Sequence, residues 1–265
     1  MSPPFQGTFD ERAQAEPADP LEADLSGLYA LTQASRFVFA SPLGPLSAAS
    51  RSHFLPRFVF FGPNACDDSW RVAFLAGLDH RDPRSSRALV ALVTRLAGSS
   101  ELGHGLNLTF FPRVDVLGSL APGHDRGLGG VPWTELDGGE IGLLARDALQ
   151  RGYHGYVRIE TGPPSDELLG IRVRGPYSEA LSPDLELITS EDTRSFPVRF
   201  EAQAEAQEQP GGPLSLETDG PFAPFELTLR IPGSWSDAAY QHAAVTLLTR
   251  FLRRYRAFQA YGQHL

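Results

Sequence analysis

The sequence predicts one α/β domain, built on a single mixed, mostly parallel sheet flanked by helices. Three observations predict it. Short apolar runs alternate with amphipathic segments of helical length through residue 160, the rhythm of strands joined by crossover helices. The 265 residues are 42% hydrophobic and 21% charged, ordinary for a chain that buries a core. A single cysteine, Cys66, excludes a disulfide framework and a cysteine-based zinc site.

The elements follow in order. Residues 1–20 are rich in Pro, Ala and acid and read as a flexible arm, leaving 21–265 as the domain. Residues 21–31 carry Leu21, Leu25, Leu28 and Leu31 at helical spacing. Runs at 37–40, 58–61 and 72–76, separated by Pro, Gly, Ser and Asn, read as strands. Asp82-Pro83 opens a helix over 84–97, with Asp82 as its N-cap and Gly98 as its stop. A strand at 106–111 leads into a glycine-rich loop over 118–130. Asp137 and Glu140 resemble a capping box for a helix with Ile141, Leu144, Ala148 and Leu149 on its apolar face, closed by Gly152. A strand at 156–160 completes the alternating part.

The second half reads as strands at 168–174, 185–189, 196–200 and 225–231. Between the last two, residues 201–219 hold five acids and no base and read as an exposed excursion. A long helix over 236–261 ends the chain, with Tyr240, Ala244, Leu247, Leu248, Phe251 and Tyr255 on one face and arginines towards its C-terminal end.

Charge and residue usage exclude several functions. The formal net charge of −9 argues against a general nucleic-acid binder. All 23 basic residues are arginine, a usage that suits a GC-rich genome. Without lysine there is no Schiff base and no P-loop. No Gly-x-Ser-x-Gly elbow occurs. Cys66 sits in an acidic Pro-Asn-Ala-Cys-Asp-Asp loop, a poor setting for a thiolate nucleophile. No secretory signal or membrane span is visible, so a cytoplasmic protein without a membrane partner is expected.

Chemistry is expected where the strands end, because open α/β sheets bind ligands beyond their carboxyl ends. Three ends carry ionisable residues. One runs through Asp79, His80, Arg81 and Asp82, one through Arg113 and Asp115, and one reaches Glu160. If the strands are parallel neighbours, the three ends share an edge.

The serial order of these elements resembles the zinc carboxypeptidase family, most closely its succinylglutamate desuccinylase/aspartoacylase branch. Ala76-Gly77-Leu78-Asp79-His80-Arg81-Asp82 stands where that family has Gly-x-His-Gly-x-Glu before a helix. The stretch from Phe111 to Gly118 stands at its Asn-Pro-x-Gly turn, Val157-Arg158-Ile159-Glu160 at its Ile-Asp-Leu-His, and Thr228-Leu229-Arg230-Ile231-Pro232 at its Thr-x-Glu-x-Pro. The resemblance spans roughly residues 37–260 and implies a carboxypeptidase-like, phosphorylase/hydrolase-like fold.

It also implies a changed site. The zinc-ligand positions carry Asp79, Asp82 and Glu160, and the catalytic Glu position carries Arg230. In the substrate-binding region Arg126 remains, together with Asp115. Zinc favours nitrogen and sulfur donors, whereas three carboxylates suit Mg²⁺, Ca²⁺ or Mn²⁺. Arg230 stays protonated and cannot act as a base. His80 does not restore the motif by a slip of register, because Pro83 then falls on the Glu position.

Simpler roles stand beside these. Asp82 serves as an N-cap, Asp79 pairs with Arg81 or Arg84, the histidines are surface or turn residues, and Arg230 faces solvent. The expectation is a catalytically degenerate carboxypeptidase-like protein without a cofactor, binding a small molecule or peptide in the former cleft. The alternatives are a metal-dependent hydrolase using Asp79, Asp82 and Glu160 with a hard cation, and an interaction protein with a closed cleft.

Arginine is expected to replace the ion, with Glu160 paired to Arg230 or Arg126 and Arg158 set aside on strand alternation. Glu160→Gln is then expected to cost on the order of 3 kcal/mol.

Overall fold

The computed structural model describes residues 20–48, 51–66, 69–99, 101–120, 128, 139–174, 196–201 and 225–262. The expected strand at 185–189, Asp137, Arg126 and nearly all of 1–20 and 201–219 lie outside the described residues.

Among the described residues, ten strands and four helices follow in chain order. They are α1 (Pro20–Ala34), β1 (Val38–Ala40), β2 (Leu43–Ala48), β3 (Arg51–Leu55), β4 (Phe58–Phe61), β5 (Arg71–Leu75), α2 (Arg84–Gly98), β6 (Asn107–Phe111), α3 (Glu140–Arg151), β7 (Gly155–Thr161), β8 (Leu169–Arg174), β9 (Val198–Glu201), β10 (Phe225–Ile231) and α4 (Asp237–Gly262). Eight strands form one sheet in the order β1-β4-β6-β5-β7-β10-β8-β9. Its centre, β6-β5-β7-β10, is parallel. Antiparallel pairs, β1 on β4, β4 on β6 and β8 on β10, flank that centre. The strands expected to share an edge are therefore adjacent, and their carboxyl ends align.

The pleat sends alternate residues to opposite faces. Val72, Phe74, Phe110, Val157, Ile159, Leu227 and Leu229 pack on the first face under α1, α2 and α4. Ala73, Leu75, Phe111 and Tyr156 meet α3 and the β2-β3 hairpin on the second. That hairpin is the element sequence patterning misses: Gly44 and Pro45 interrupt its alternation, and its register shifts between Leu43 and Leu46.

Three local expectations need correction. Asp82 is not the N-cap of α2. Pro83 holds that position, and the Asp82 carboxylate accepts the Arg84 N–H at 3.3 Å from one residue outside. The capping box at α3 does not form: Gly139 is the cap residue, without a side-chain hydrogen bond. Glu140 turns inward and accepts the Leu117 N–H at 2.5 Å instead. Leu149, expected on the buried face of α3, is 73% exposed. By contrast, Gly152 closes α3 in the left-handed region as expected, at φ 57°. Ser236 caps α4, its Oγ accepting the Ala239 N–H at 3.3 Å. No helix among the described residues is long and apolar enough to cross a membrane.

Candidate functional site

The site begins where β5 and β6 stop. Two backbone hydrogen bonds continue their parallel pairing past the strand ends, from Val114 N–H to Ala76 O at 3.1 Å and from Asp115 N–H to Gly77 O at 2.8 Å. Gly77 makes the turn at φ 62°, a conformation glycine adopts without strain. A Cβ there would also lie 2.6 Å from Ser86 Oγ and 2.9 Å from Pro112 O.

Asp115, 2% exposed, is held against the first loop. Its Oδ2 accepts the His80 backbone N–H at 3.0 Å and the His80 ring Nδ1–H at 2.7 Å, and its Oδ1 accepts the Gly118 N–H at 3.0 Å. A Cβ on Gly118 would stand 2.2 Å from Asp115 Oδ1 and 2.6 Å from His80 Nδ1, so this position requires glycine. Next door, burial pushes the Glu140 carboxyl above its ordinary range, and the nearby Asp115 charge adds to the shift.

The three carboxylates expected as ligand positions share a different feature. Each is closed by an arginine two residues away. Arg81 forks onto Asp79, with Nε to Oδ1 at 2.9 Å and Nη2 to Oδ2 at 2.8 Å, and this pairing lowers the Asp79 pKa. Arg84 Nε donates to Asp82 Oδ1 at 2.9 Å, while its Nη1 reaches Gly233 O at 2.9 Å. The Arg84 guanidinium also lies over the Tyr240 ring, 5.4 Å from its centroid, which ties the edge to α4.

Arg158 donates through Nη2 to Glu160, and through Nη1 to Glu226 at 3.0 Å. The expected pairing of Glu160 with Arg230 is therefore wrong. Strand alternation separates residues one apart; Arg158 and Glu160 are two apart and share a face. Arg230 does stand opposite Glu160 in the β7-β10 ladder. Its guanidinium instead lies 3.7 Å from Asp166, with the side chain 38% exposed.

Among the described residues, the grouping of three side chains able to hold a cation is Asp79, His80 and Asp115, whose ligand atoms lie within 4.8 Å of one another. It shares only Asp79 with the expected trio. In this arrangement His80 Nδ1 and Asp115 Oδ2 are engaged with each other. Sequence pattern alone makes His80 a surface or turn histidine. Its partner stands 35 residues away, and only the alignment of the two strand ends links them.

No family model matches the chain, and no curated protein matches it in sequence. Solved structures do match. A metallo-carboxypeptidase from Burkholderia cenocepacia aligns at 13% identity and TM-score 0.65, over 89% of this chain and 68% of that one. Bovine thrombin-activatable fibrinolysis inhibitor, in complex with tick carboxypeptidase inhibitor, aligns at 14% identity and TM-score 0.65, over 88% and 96%. A metallo-carboxypeptidase from Pseudomonas aeruginosa aligns at 12% identity and TM-score 0.59, over 86% and 67%. The chain has the zinc carboxypeptidase-like fold.

Proposed function

We propose that this carboxypeptidase-like protein binds a small molecule or peptide at the carboxyl-terminal edge of its sheet and does not work through zinc there. The observation that carries the reading is the closure of Asp79, Asp82 and Glu160 by Arg81, Arg84 and Arg158. A zinc site needs deprotonated donors with free lone pairs, mostly nitrogen or sulfur. These positions offer only oxygen, and guanidinium groups already neutralise it. Zinc fits them poorly, and Arg230 has no lone pair with which to activate a water.

The edge suits a ligand in another way. Arg81 and Asp79, 54% and 40% exposed, present both signs of charge side by side there, as recognition of a zwitterionic or amide-bearing molecule requires. A thermal-shift screen of amino acids, short peptides and small carboxylic acids tests the reading. A ligand whose stabilisation is lost in Arg81→Ala supports it. Hydrolysis of peptides that requires added zinc contradicts it.

A second reading, a metal-dependent hydrolase, rests on the Asp79-His80-Asp115 grouping. It needs His80 Nδ1 to leave Asp115, freeing both groups for a cation. Zinc or manganese that stabilises the chain, with the effect lost in His80→Gln, would favour it.

A further inference from the structure

We propose that His80 and Asp115 form a metal-independent general-base pair that activates water against small acyl esters. The inference rests on the reading above, because it requires an edge without a metal. Among the described residues, His80 is the histidine whose ring meets a carboxylate. Asp115 is buried, its two oxygens accept three hydrogen bonds, and two of these come from His80 itself. That double attachment fixes both the backbone and the ring. It also places the ring proton on Nδ1, which leaves the Nε2 lone pair as the free acceptor.

Nε2 has no partner among the described residues, and the His80 side chain is 18% exposed, enough to meet a ligand from the strand edge. A carboxylate that orients a histidine through one nitrogen while the other handles a proton is the working arrangement of general-base catalysis. The other described histidines lack it. His154 Nδ1 accepts the Arg71 backbone N–H at 3.0 Å, and His104 lies 2.9 Å from the Asn64 side-chain amide.

The step balances with water as the only co-reactant. His80 Nε2 takes a proton from water as the water oxygen bonds to the ester carbonyl carbon. The tetrahedral adduct collapses, the carbon–oxygen bond to the leaving alcohol breaks, and Nε2 returns its proton to the departing oxygen. His80 keeps its Nδ1 proton throughout and donates it to Asp115, which holds the ring in place and is therefore a positioning residue. Arg81, next to His80 in the chain and paired with Asp79, offers a cation for the charge that develops on the carbonyl oxygen.

The test is 4-nitrophenyl acetate hydrolysis by the full chain at pH 7.5, with and without a chelator, for wild type, His80→Gln, Asp115→Asn and His104→Gln. Nitrogen-15 NMR of the histidine rings is recorded alongside. Expected are chelator-insensitive turnover, at least a tenfold loss in His80→Gln, a threefold or greater loss in Asp115→Asn, and no change in His104→Gln. The NMR spectrum should show His80 protonated at Nδ1 in wild type and shifted towards the Nε2–H tautomer in Asp115→Asn. Turnover equal in wild type and His80→Gln overturns the base pair while leaving the metal-free reading intact. So does an Nε2–H tautomer in folded wild type. Turnover abolished by chelator and restored by zinc overturns both.

Discussion

Two ionic regions of this molecule use the same residue types to opposite ends. At the carboxyl-terminal edge, arginine and carboxylate pair two residues apart: Arg81 with Asp79, Arg84 with Asp82, and Arg158 with Glu160. On the second face of the sheet, Arg57 pairs with Asp147 from 90 residues away, in full burial. The Tyr153 hydroxyl donates to the other Asp147 oxygen at 2.6 Å, and Arg57 also reaches Ser41 O and Oγ, both at 2.6 Å. Burial beside the Asp147 charge holds the Tyr153 hydroxyl far above its ordinary range, so it stays a donor. Pairs two residues apart can form within one loop or one strand, without distant elements meeting. The buried network exists only when β4 and α3 are packed, so it reports on the fold.

The largest effect expected from this contrast is at Asp147. Replacing it with alanine strands the Arg57 guanidinium in a buried site and removes the Tyr153 acceptor, a cost of about 3–5 kcal/mol in urea unfolding. A loss under about 1 kcal/mol would make the two regions equivalent.

Arg158 sharpens the comparison because it bridges both kinds of pairing. It is 6% exposed and shared between buried Glu226 and the more open Glu160. Glu226→Gln should cost about 1.5–3 kcal/mol. Glu160→Gln should cost only about 1 kcal/mol, because Arg158 keeps Glu226. That lowers the figure of roughly 3 kcal/mol expected for an arginine with one partner. The reverse order would place the anchor of Arg158 at the edge.

Glu140 gives a pH-dependent test. Its folded pKa is raised, so its contribution to stability is full below the ordinary glutamate range and is lost as pH rises through the folded value. Glutamine cannot ionise and still accepts the Leu117 N–H. Glu140→Gln should therefore melt above wild type at pH 7, with the gap closing as the pH is lowered towards 4. A gap that widens with acid would contradict the burial argument.

The smallest effect belongs to Asp79→Asn. The Arg81–Asp79 pair is exposed and local, so stability should change by less than about 0.5 kcal/mol at moderate salt.

These same distinctions explain what the sequence made legible. The three strand ends could be read because apolar runs and helix boundaries are local signals, and the crossover rule converts them into neighbours. Asp79, Asp82 and Glu160 follow from position along that order alone. Their partners were harder. Strand alternation does not separate Arg158 from Glu160, because i and i+2 on a strand share a face. The His80–Asp115 contact and the Arg57–Asp147 pair depend on which loops and layers meet, which no single segment encodes. Glu140 had a familiar capping spacing, yet the loop carrying Leu117 competed for its carboxylate and won.

The central claim is that arginine, and not a metal, supplies the positive charge of the edge. Calorimetric titration of zinc into chelator-treated protein tests it most directly. The account predicts no saturable heat and no stoichiometric zinc after dialysis. One zinc bound per chain, with affinity weakened in both Asp79→Asn and Asp115→Asn, would contradict it.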